Sequence, residues 1–265
     1  MSERRTLDSA LAGSTLTGSA SIDYRPVAVM PDVRVVKIGG QSVMDRGREA
    51  LFPILEEIIA ARKKGIQVVL LAGGGTRARH IYTIASELEM PTGVVATLGK
   101  YIPMQNARML QMLLAKHGGL YILPDDFEKL PLYMQMGCIP VMSGMPPFGY
   151  WEKREEGSRI PPHRTDAGVF LSCEFLGAKR AIYIKDEDGL YTDDPKKDPN
   201  AQHIPRITSR ELKERNLNDL VIERVVVEYM QRAQWCRQLQ IVNGLKPGQV
   251  LAALQGEDVG TLITA

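Results

Sequence analysis

The segment that decides the fold is Lys185-Asp186-Glu187-Asp188-Gly189-Leu190-Tyr191-Thr192-Asp193-Asp194-Pro195, and it directly follows the apolar run 181–184. The apolar run is typical of a short buried strand, and the acidic residues with glycine and proline are typical of a loop. In open α/β sheets, ligands bind beyond the carboxyl ends of the strands. The segment therefore predicts a ligand-binding loop at the end of a buried strand.

Apolar strands alternate with helical segments on both sides of this loop. Continuous apolar strands between amphipathic helices predict an α/β fold: a three-layer α/β/α sandwich around a central, mostly parallel sheet. The predicted strands are 33–38, 68–72, 121–123, 139–142, 181–184, 240–242 and 261–263. The predicted helices are 48–64, 77–89, 104–116, 166–176 and 219–238.

The bulk properties exclude several classes of protein. The chain of 265 residues is 44% hydrophobic and 24% charged, with a net charge of +2, so nothing favours a nucleic-acid or anionic-membrane partner. No apolar run is long enough to cross a bilayer, and no apolar segment follows Arg4 and Arg5 as a secretory signal requires. We expect a cytoplasmic protein with a flexible or partner-binding arm over residues 1–30, rich in Ser, Thr, Gly and Ala, before a single domain over 31–265.

Two glycine-rich turns follow predicted strands and suit a phosphate. Lys37 precedes Gly39 and Gly40, and Gly74 and Gly75 follow the strand 68–72. Glycines let backbone N–H groups approach a phosphate closely, and an ammonium stabilises phosphoryl oxygens. A plain strand-turn is the alternative for either segment taken alone.

The remaining polar candidates each have a structural alternative. Thr165 and Asp166 open a predicted helix, where an ordinary N-cap also explains them. Asp188 and Asp194 could orient lysines or Mg²⁺, or belong to turns. Lys197 suits a solvated loop or a phosphate contact.

Taken in order, these motifs resemble the amino acid kinase family, which includes UMP kinase and aspartokinase. The order is Lys-x-Gly-Gly, Gly-Gly-Gly, Thr-Asp and then Asp-Gly-Leu-Tyr-Thr-x-Asp-Pro, and the resemblance covers about residues 33–265. It implies an acceptor or cavity lobe over about 31–164 and a nucleotide lobe over about 165–265. It further implies that the phosphates of Mg-ATP contact Lys37, Gly39, Gly40, Gly74 and Gly75. It also implies that Asp166 organises the lysine or a metal, and that the stretch from Asp186 to Pro195, with Tyr191 on the base or ribose side, lines the nucleotide pocket.

The acceptor half departs from UMP kinase, because Lys100 stands where UMP kinases place an acidic residue and a longer insertion occupies 144–163. Four segments, 39–47, 75–80, 143–147 and 160–168, instead resemble a subunit of the molybdenum storage protein family. The stretches 39–43 and 145–151 are more similar to its β-type than to its α-type subunit. The resemblance implies ATP binding and storage of molybdate or tungstate as polyoxometalate clusters in a hexameric cage of homologous subunits. Two alternatives stay open, a UMP kinase and a non-catalytic structural partner of an active homologue.

Candidate ligands of the oxometalate are few. The resemblance implies histidines and glutamates as the side chains that contact such clusters, and His163, Glu152 and His80 are the candidates. For His80 the alternative is a surface or packing role on a helix. His163 adjoins the Thr-Asp turn, which places it near the phosphate or cavity region. The sequence leaves three questions open: whether molybdate or tungstate is preferred, whether the assembly is homomeric or heteromeric, and whether this chain hydrolyses ATP.

Overall fold

The computed structural model describes residues 27–217 and 220–265, and within them the chain forms ten strands and eight α-helices. The strands are β1 Arg34–Ile38, β2 Val68–Ala72, β3 Gly119–Tyr121, β4 Ile139–Ser143, β5 Arg180–Lys185, β6 Leu190–Tyr191, β7 His203–Ile204, β8 Arg206–Thr208, β9 Gln238–Asn243 and β10 Thr261–Thr264. The helices are α1 Arg48–Lys63, α2 Thr76–Glu87, α3 Thr92–Leu114, α4 Leu130–Gln135, α5 Thr165–Leu176, α6 Ser209–Arg215, α7 Arg224–Arg232 and α8 Gln249–Gln255.

Eight of the strands form one sheet in the order β3-β4-β2-β1-β5-β9-β10-β8. All neighbouring pairs are parallel except β9 with β10, which run antiparallel. β1 lies near the middle between β2 and β5, and its register pairs Lys37 with Leu71 on one side and with Tyr183 on the other. The predicted mostly parallel α/β fold is therefore confirmed.

Helices cover both faces of the sheet, and the alternation of side chains along each strand separates two cores. On β1, Val35 belongs to the core that includes residues of α4, α5, α6 and α7. Val36 and Ile38 belong to the core that includes residues of α1, α3 and α8. Because successive side chains of a strand point to opposite faces, a continuous apolar strand feeds both cores. The result is the predicted three-layer sandwich.

Three predicted boundaries were wrong. The helix predicted from 104 begins at Thr92 and continues through Gly99 and Pro103, two residues that usually end helices but here are buried in the interior. The strand predicted at 121–123 lies at Gly119–Tyr121. Of the helix predicted over 219–238, the described residues 220–238 are helical at Arg224–Arg232, and residues 233–237 after it are not helical.

The predicted N-terminal arm, residues 1–30, lies almost entirely outside the described residues. Its last residue, Met30, is buried, and its N–H donates a 2.7 Å hydrogen bond to the carbonyl of Leu176 at the end of α5. In the part of the chain that the structure describes, no helix has the length and apolar character needed to cross a membrane.

Candidate nucleotide-binding site

A cavity of about 610 Å³ opens at the carboxyl ends of β1, β2 and β5. The turns after these strands and the start of α5 form its wall. Six basic and five acidic side chains line it, so the wall is strongly polar but nearly balanced in charge. Three segments that are distant in sequence therefore meet at one edge of the sheet, as the parallel arrangement requires.

The two glycine turns pack backbone against backbone. A Cβ atom built on Gly40 would overlap the backbone nitrogen of Gly75, so a side chain at this position would push the turns apart. Gly75 has φ +78°, in the left-handed region that favours glycine. Gly39, Gly40, Gly74 and Gly75 all line the cavity, which therefore contains a cradle that side chains would fill.

The N-terminus of α2 is already occupied by an anion from the chain itself. The N–H of Thr76 donates a 2.6 Å hydrogen bond to Oδ2 of Asp45, which belongs to the turn after β1. A carboxylate at this position is stabilised by the helix dipole. The phosphate that the sequence suggests for this helix start would have to compete with Asp45.

The centre of the site is a buried carboxylate held by two lysines. Lys37 Nζ donates a short hydrogen bond to Oδ1 of Asp166, and Lys185 Nζ lies 3.5 Å from the same oxygen. Asp166 is 5% exposed and Lys37 4%. Tyr183, whose hydroxyl donates a 2.9 Å hydrogen bond to the Asp166 carbonyl, supports this arrangement from the same strand as Lys185.

The charges of this cluster shift each other's protonation. Burial alone would raise the pKa of Asp166, but the ammonium groups of Lys185 and Lys37 outweigh it and lower that pKa to about 2. Burial lowers the pKa of Lys185 to about 8, with Asp166 opposing and Lys37 adding to the shift. Asp166 is thus a carboxylate at neutral pH, while Lys185 changes its charge in a mildly alkaline range.

Glu223 holds the start of α5, where Thr165 and Asp166 lie. One of its oxygens accepts the N–H of Asp166 at 3.0 Å, and the other accepts those of Arg164 and Ala167 at 2.9 and 3.1 Å. Its own N–H donates to Oδ2 of Asp166 at 3.2 Å. Burial and the Asp166 charge raise the pKa of Glu223. Glu223 therefore caps the helix across 57 residues of sequence and fixes the second oxygen of Asp166.

The acidic loop reaches the cavity at its start, and Lys196, which directly follows the loop, lines the cavity as well. Asp186 lines it and pairs with Arg46 at 2.6 Å, and Glu187 lines it and pairs with Lys196 at 2.5 Å. The cavity wall does not include the other loop candidates, namely Asp188, Tyr191, Asp194, Pro195 and Lys197.

Further along the loop, the polar groups stabilise the loop itself. Asp188 accepts hydrogen bonds from Lys246 Nζ at 2.7 Å and from Asn243 Nδ2 at 3.0 Å. Tyr191 packs edge-on against His203 with ring centroids 5.3 Å apart. Lys197 pairs with Asp194 at 2.9 Å. Asp188 and Asp194 thus each pair with a lysine, Lys246 and Lys197, and neither aspartate lines the cavity.

Two of the three predicted oxometalate ligands contact each other. Nδ1 of His163 lies 2.7 Å from Oε1 of Glu152, and the Glu152 side chain is buried. The His163 ring stacks on Tyr229 with centroids 5.7 Å apart. His80 is exposed on α2. No group of three or more His, Cys, Asp or Glu positioned to hold a metal ion occurs among residues 27–217 and 220–265.

The far end of the cavity is closed by α2 and α3. A Cβ atom on Gly99 would overlap the ring of Tyr82, so these helices pack closely there. Burial raises the pKa of Tyr82 to about 12, and its phenol stays neutral. Gly99 and Pro103 are the α3 residues that line the cavity, and Lys100, half-buried on the same helix, is not among them.

Sequence reasoning missed Lys185 and Glu223 as site residues. Lys185 stands at the end of the apolar run 181–184, but its place beside Lys37 depends on the pairing of β1 with β5, which sets Lys37 against Tyr183 and is not visible in the sequence. Glu223 left no signal either, because its role depends on tertiary packing against α5.

Comparison with known proteins gives a consistent result. The model of the amino acid kinase family matches residues 32–236. The molybdenum storage protein subunit beta of Azotobacter vinelandii is 48% identical over 247 residues, which cover 93% of this chain and 90% of that protein. The uridylate kinase of Pyrococcus abyssi is 34% identical over 146 residues, 55% of this chain and 58% of that protein. The crystal structure of uridylate kinase from Archaeoglobus fulgidus matches with a TM-score of 0.66 and 26% identity, covering 88% of this chain and 100% of that one.

Proposed function

This chain belongs to the amino acid kinase family, and we propose that it is an ATP-binding subunit of a molybdenum storage complex. The observation that carries the proposal is its 48% identity, over 90% of that protein's length, to the molybdenum storage protein subunit beta. In the proposed complex, this chain and homologous subunits, either copies of itself or a second, α-type subunit, assemble into a hexameric cage. Molybdate or tungstate is deposited inside it as polyoxometalate clusters.

The cavity fits the phosphates of ATP. Lys37 and Lys185 supply ammonium groups at its centre, and the Gly40–Gly75 contact supplies the close backbone approach that a phosphate requires. Mg²⁺ in nucleotide sites usually keeps several waters and takes one or two carboxylates with the phosphates. It would therefore enter on ATP and neutralise phosphate charge, without a dedicated protein cage.

Asp166 and Glu223 have separate roles in the site. Asp166, ionised at neutral pH, holds the ammonium group of Lys37 at the end of β1. Glu223 fixes Asp166 from the other side through its N–H and through the N-terminus of α5. In such a site, positioning and charge neutralisation supply the catalysis, without a covalent intermediate. ATP hydrolysis coupled to storage is therefore part of the proposal.

The proposed oxometalate contacts are His163 and Glu152, with His80 as a separate surface candidate. The His163–Glu152 contact keeps an imidazole and a carboxylate together close to the start of α5. Variants His163→Ala, Glu152→Gln and His80→Ala, analysed for retained molybdenum, test each residue separately. A ligand variant retains less metal at unchanged assembly, whereas an unchanged metal content removes that residue from the proposal.

The deciding experiment is elemental analysis of the purified assembly after incubation with molybdate or tungstate, with and without Mg-ATP. Storage predicts many metal atoms per subunit, retained only when Mg-ATP is present. An intact oligomer that retains no metal would contradict storage by this chain alone. Repetition with a co-expressed α-type homologue then distinguishes a structural partner from an active subunit.

A second candidate function is UMP kinase, favoured by the uridylate kinase of Archaeoglobus fulgidus as a structural neighbour. The donor half of the cavity, which consists of Lys37, Asp166, Lys185 and the two glycine turns, suits either function. The acceptor half differs, because Gly99 and Pro103 are what α3 contributes to the cavity wall and neither carries a charge. A coupled ADP-release assay with UMP separates the two: UMP-dependent ADP release supports the kinase, and its absence together with retained metal supports storage.

A further inference from the structure

The wall of the cavity contains a guanidinium group that neither the sequence motifs nor the proposed ATP contacts use. It belongs to Arg164, the residue immediately before α5. The side chain is 39% exposed although its Nε atom is buried. Arg164 lines the same cavity as Lys37 and Lys185, so its exposed side chain adds a cationic group to the cavity wall.

Glu223 forms an ion pair with Arg164 but accepts no hydrogen bond from the Arg164 side chain. Oε1 of Glu223 lies 3.8 Å from Nε of Arg164, which is ion-pair distance but too long for a hydrogen bond. Within the described chain, Nε has no hydrogen-bond partner. The Glu223 oxygens are already engaged by backbone N–H groups of α5. The carboxylate thus offsets part of the guanidinium charge but accepts no hydrogen bond from it, and the residue lines the cavity.

We propose that Arg164 binds a tetrahedral oxyanion in this cavity. A guanidinium group matches two oxygens of a phosphate-like anion with parallel hydrogen bonds, which an ammonium group cannot do. The oxyanion comes either from the terminal phosphate of ATP or from a free oxoanion such as molybdate. This assignment rests on the proposed ATP and oxometalate function for the identity of its ligand, and it adds a binding residue that the family motifs do not include.

The test compares Arg164→Gln and Arg164→Lys with the wild type and with Arg210→Gln, a matched arginine variant on exposed helix α6 outside the cavity. Isothermal titration calorimetry measures binding of Mg-ATP, of Mg-ADP, and of molybdate to the assembly saturated with Mg-ADP. Loss of a hydrogen bond to a charged group predicts a roughly 10- to 100-fold weaker affinity for the oxyanion that Arg164 contacts. Arg164→Lys keeps the charge, so we expect an intermediate loss.

The ligands whose affinity falls show which molecule supplies the oxyanion that Arg164 contacts. Weaker binding of ATP with unchanged ADP assigns the contact to the terminal phosphate, and weaker binding of molybdate with unchanged ATP and ADP assigns it to a free oxoanion. Unchanged affinities for all three ligands in a folded Arg164→Gln overturn the assignment. So do equal losses for all three with a lowered thermal unfolding midpoint, since they indicate a structural role. If Arg164→Gln does not fold, Arg164→Lys carries the same comparison.

Failure of the proposed function has a different signature. In that case the wild type itself binds neither Mg-ATP nor molybdate, and the assignment of Arg164 falls with it. A wild type that binds both, with an Arg164→Gln variant that binds equally well, leaves the proposed function standing and removes only Arg164.

Discussion

Replacing Asp166 by asparagine tests the buried charge cluster most directly. Asp166→Asn keeps the shape of the side chain but removes the carboxylate that faces Lys37 and Lys185. Breaking a buried ion pair by removing one partner costs about 3–5 kcal/mol, because a charge is left buried without compensation. Burial already lowers the pKa of Lys185 to about 8. Loss of its proton in the variant would relieve part of the penalty, so we expect the lower end of that range at pH 7.

The pH dependence of this loss is also fixed by the structure. The pKa of Asp166 is lowered from 3.8 to about 2, so the folded state binds its proton more weakly than the unfolded state does. Its contribution to stability is therefore fully present above pH 4 and is lost as the pH falls through about 2. A shift of about 2 units corresponds to about 2–3 kcal/mol. The stability difference between wild type and Asp166→Asn should therefore shrink by about 2 kcal/mol between pH 5 and pH 2, where half of the folded molecules still carry the charged carboxylate.

The assay is urea unfolding at fixed protein concentration, because oligomerisation makes the apparent stability concentration-dependent. Asp32→Asn is the matched control: Asp32 also pairs with a lysine, Lys179, at 3.7 Å, but its side chain is 89% exposed. Exposed pairs contribute at most about 1 kcal/mol. If Asp166→Asn is no more destabilising than Asp32→Asn, or if its effect does not shrink in acid, the interpretation of the cluster is wrong.

Three further outcomes can be measured. Affinity for Mg-ATP should fall as the pH rises through about 8, because the Lys185 ammonium loses its proton there, and calorimetry on Lys185→Arg should show a flatter profile. Gly40→Ala should weaken ATP binding at least about tenfold by separating the glycine turns, the equivalent of about 1.4 kcal/mol. Gly65→Ala, which strains a positive φ but meets no atom, should keep that affinity. Glu57→Ala should lower the unfolding free energy by about 1–2 kcal/mol without changing ATP affinity, because Glu57 accepts backbone N–H groups at the start of α8, away from the cavity.

The fold was predictable because its strongest signals are local. Buried parallel strands must be continuously apolar, and the run 68–72 became β2 with the predicted bounds. The resemblance to the amino acid kinase and molybdenum storage families was confirmed for the same reason, since its motifs follow strands directly. Helix α3 was predicted to begin twelve residues too late because Gly99 and Pro103 oppose helix formation locally. Burial of both residues against the rest of the fold overrides that preference.

Only the site residues that belong to recognisable sequence motifs could be predicted. Lys37 and Asp166 were predicted from the motifs, and the structure brings them into contact. The groups that influence the charge and position of Lys37 and Asp166 lie outside these motifs. Lys185 belongs to the neighbouring strand β5, and Glu223 lies at the start of α7. No periodicity in the sequence connects Glu223 with α5. A pair of residues that meet through tertiary packing leaves no local pattern to find.

The donor half of this cavity cannot by itself distinguish a kinase from a storage subunit. Lysines, glycine turns and an ionised aspartate bind and polarise a triphosphate equally well for either purpose. The distinction lies where the second anion would bind. Asp45 already occupies the N-terminus of α2, and Arg164 also lines the cavity. A kinase must place a nucleotide acceptor against this arrangement, whereas a storage subunit needs room only for a small oxoanion beside the phosphates. Measuring molybdate and UMP against the same Mg-ADP-loaded assembly therefore tests the acceptor half directly, because both ligands then meet an identical donor half.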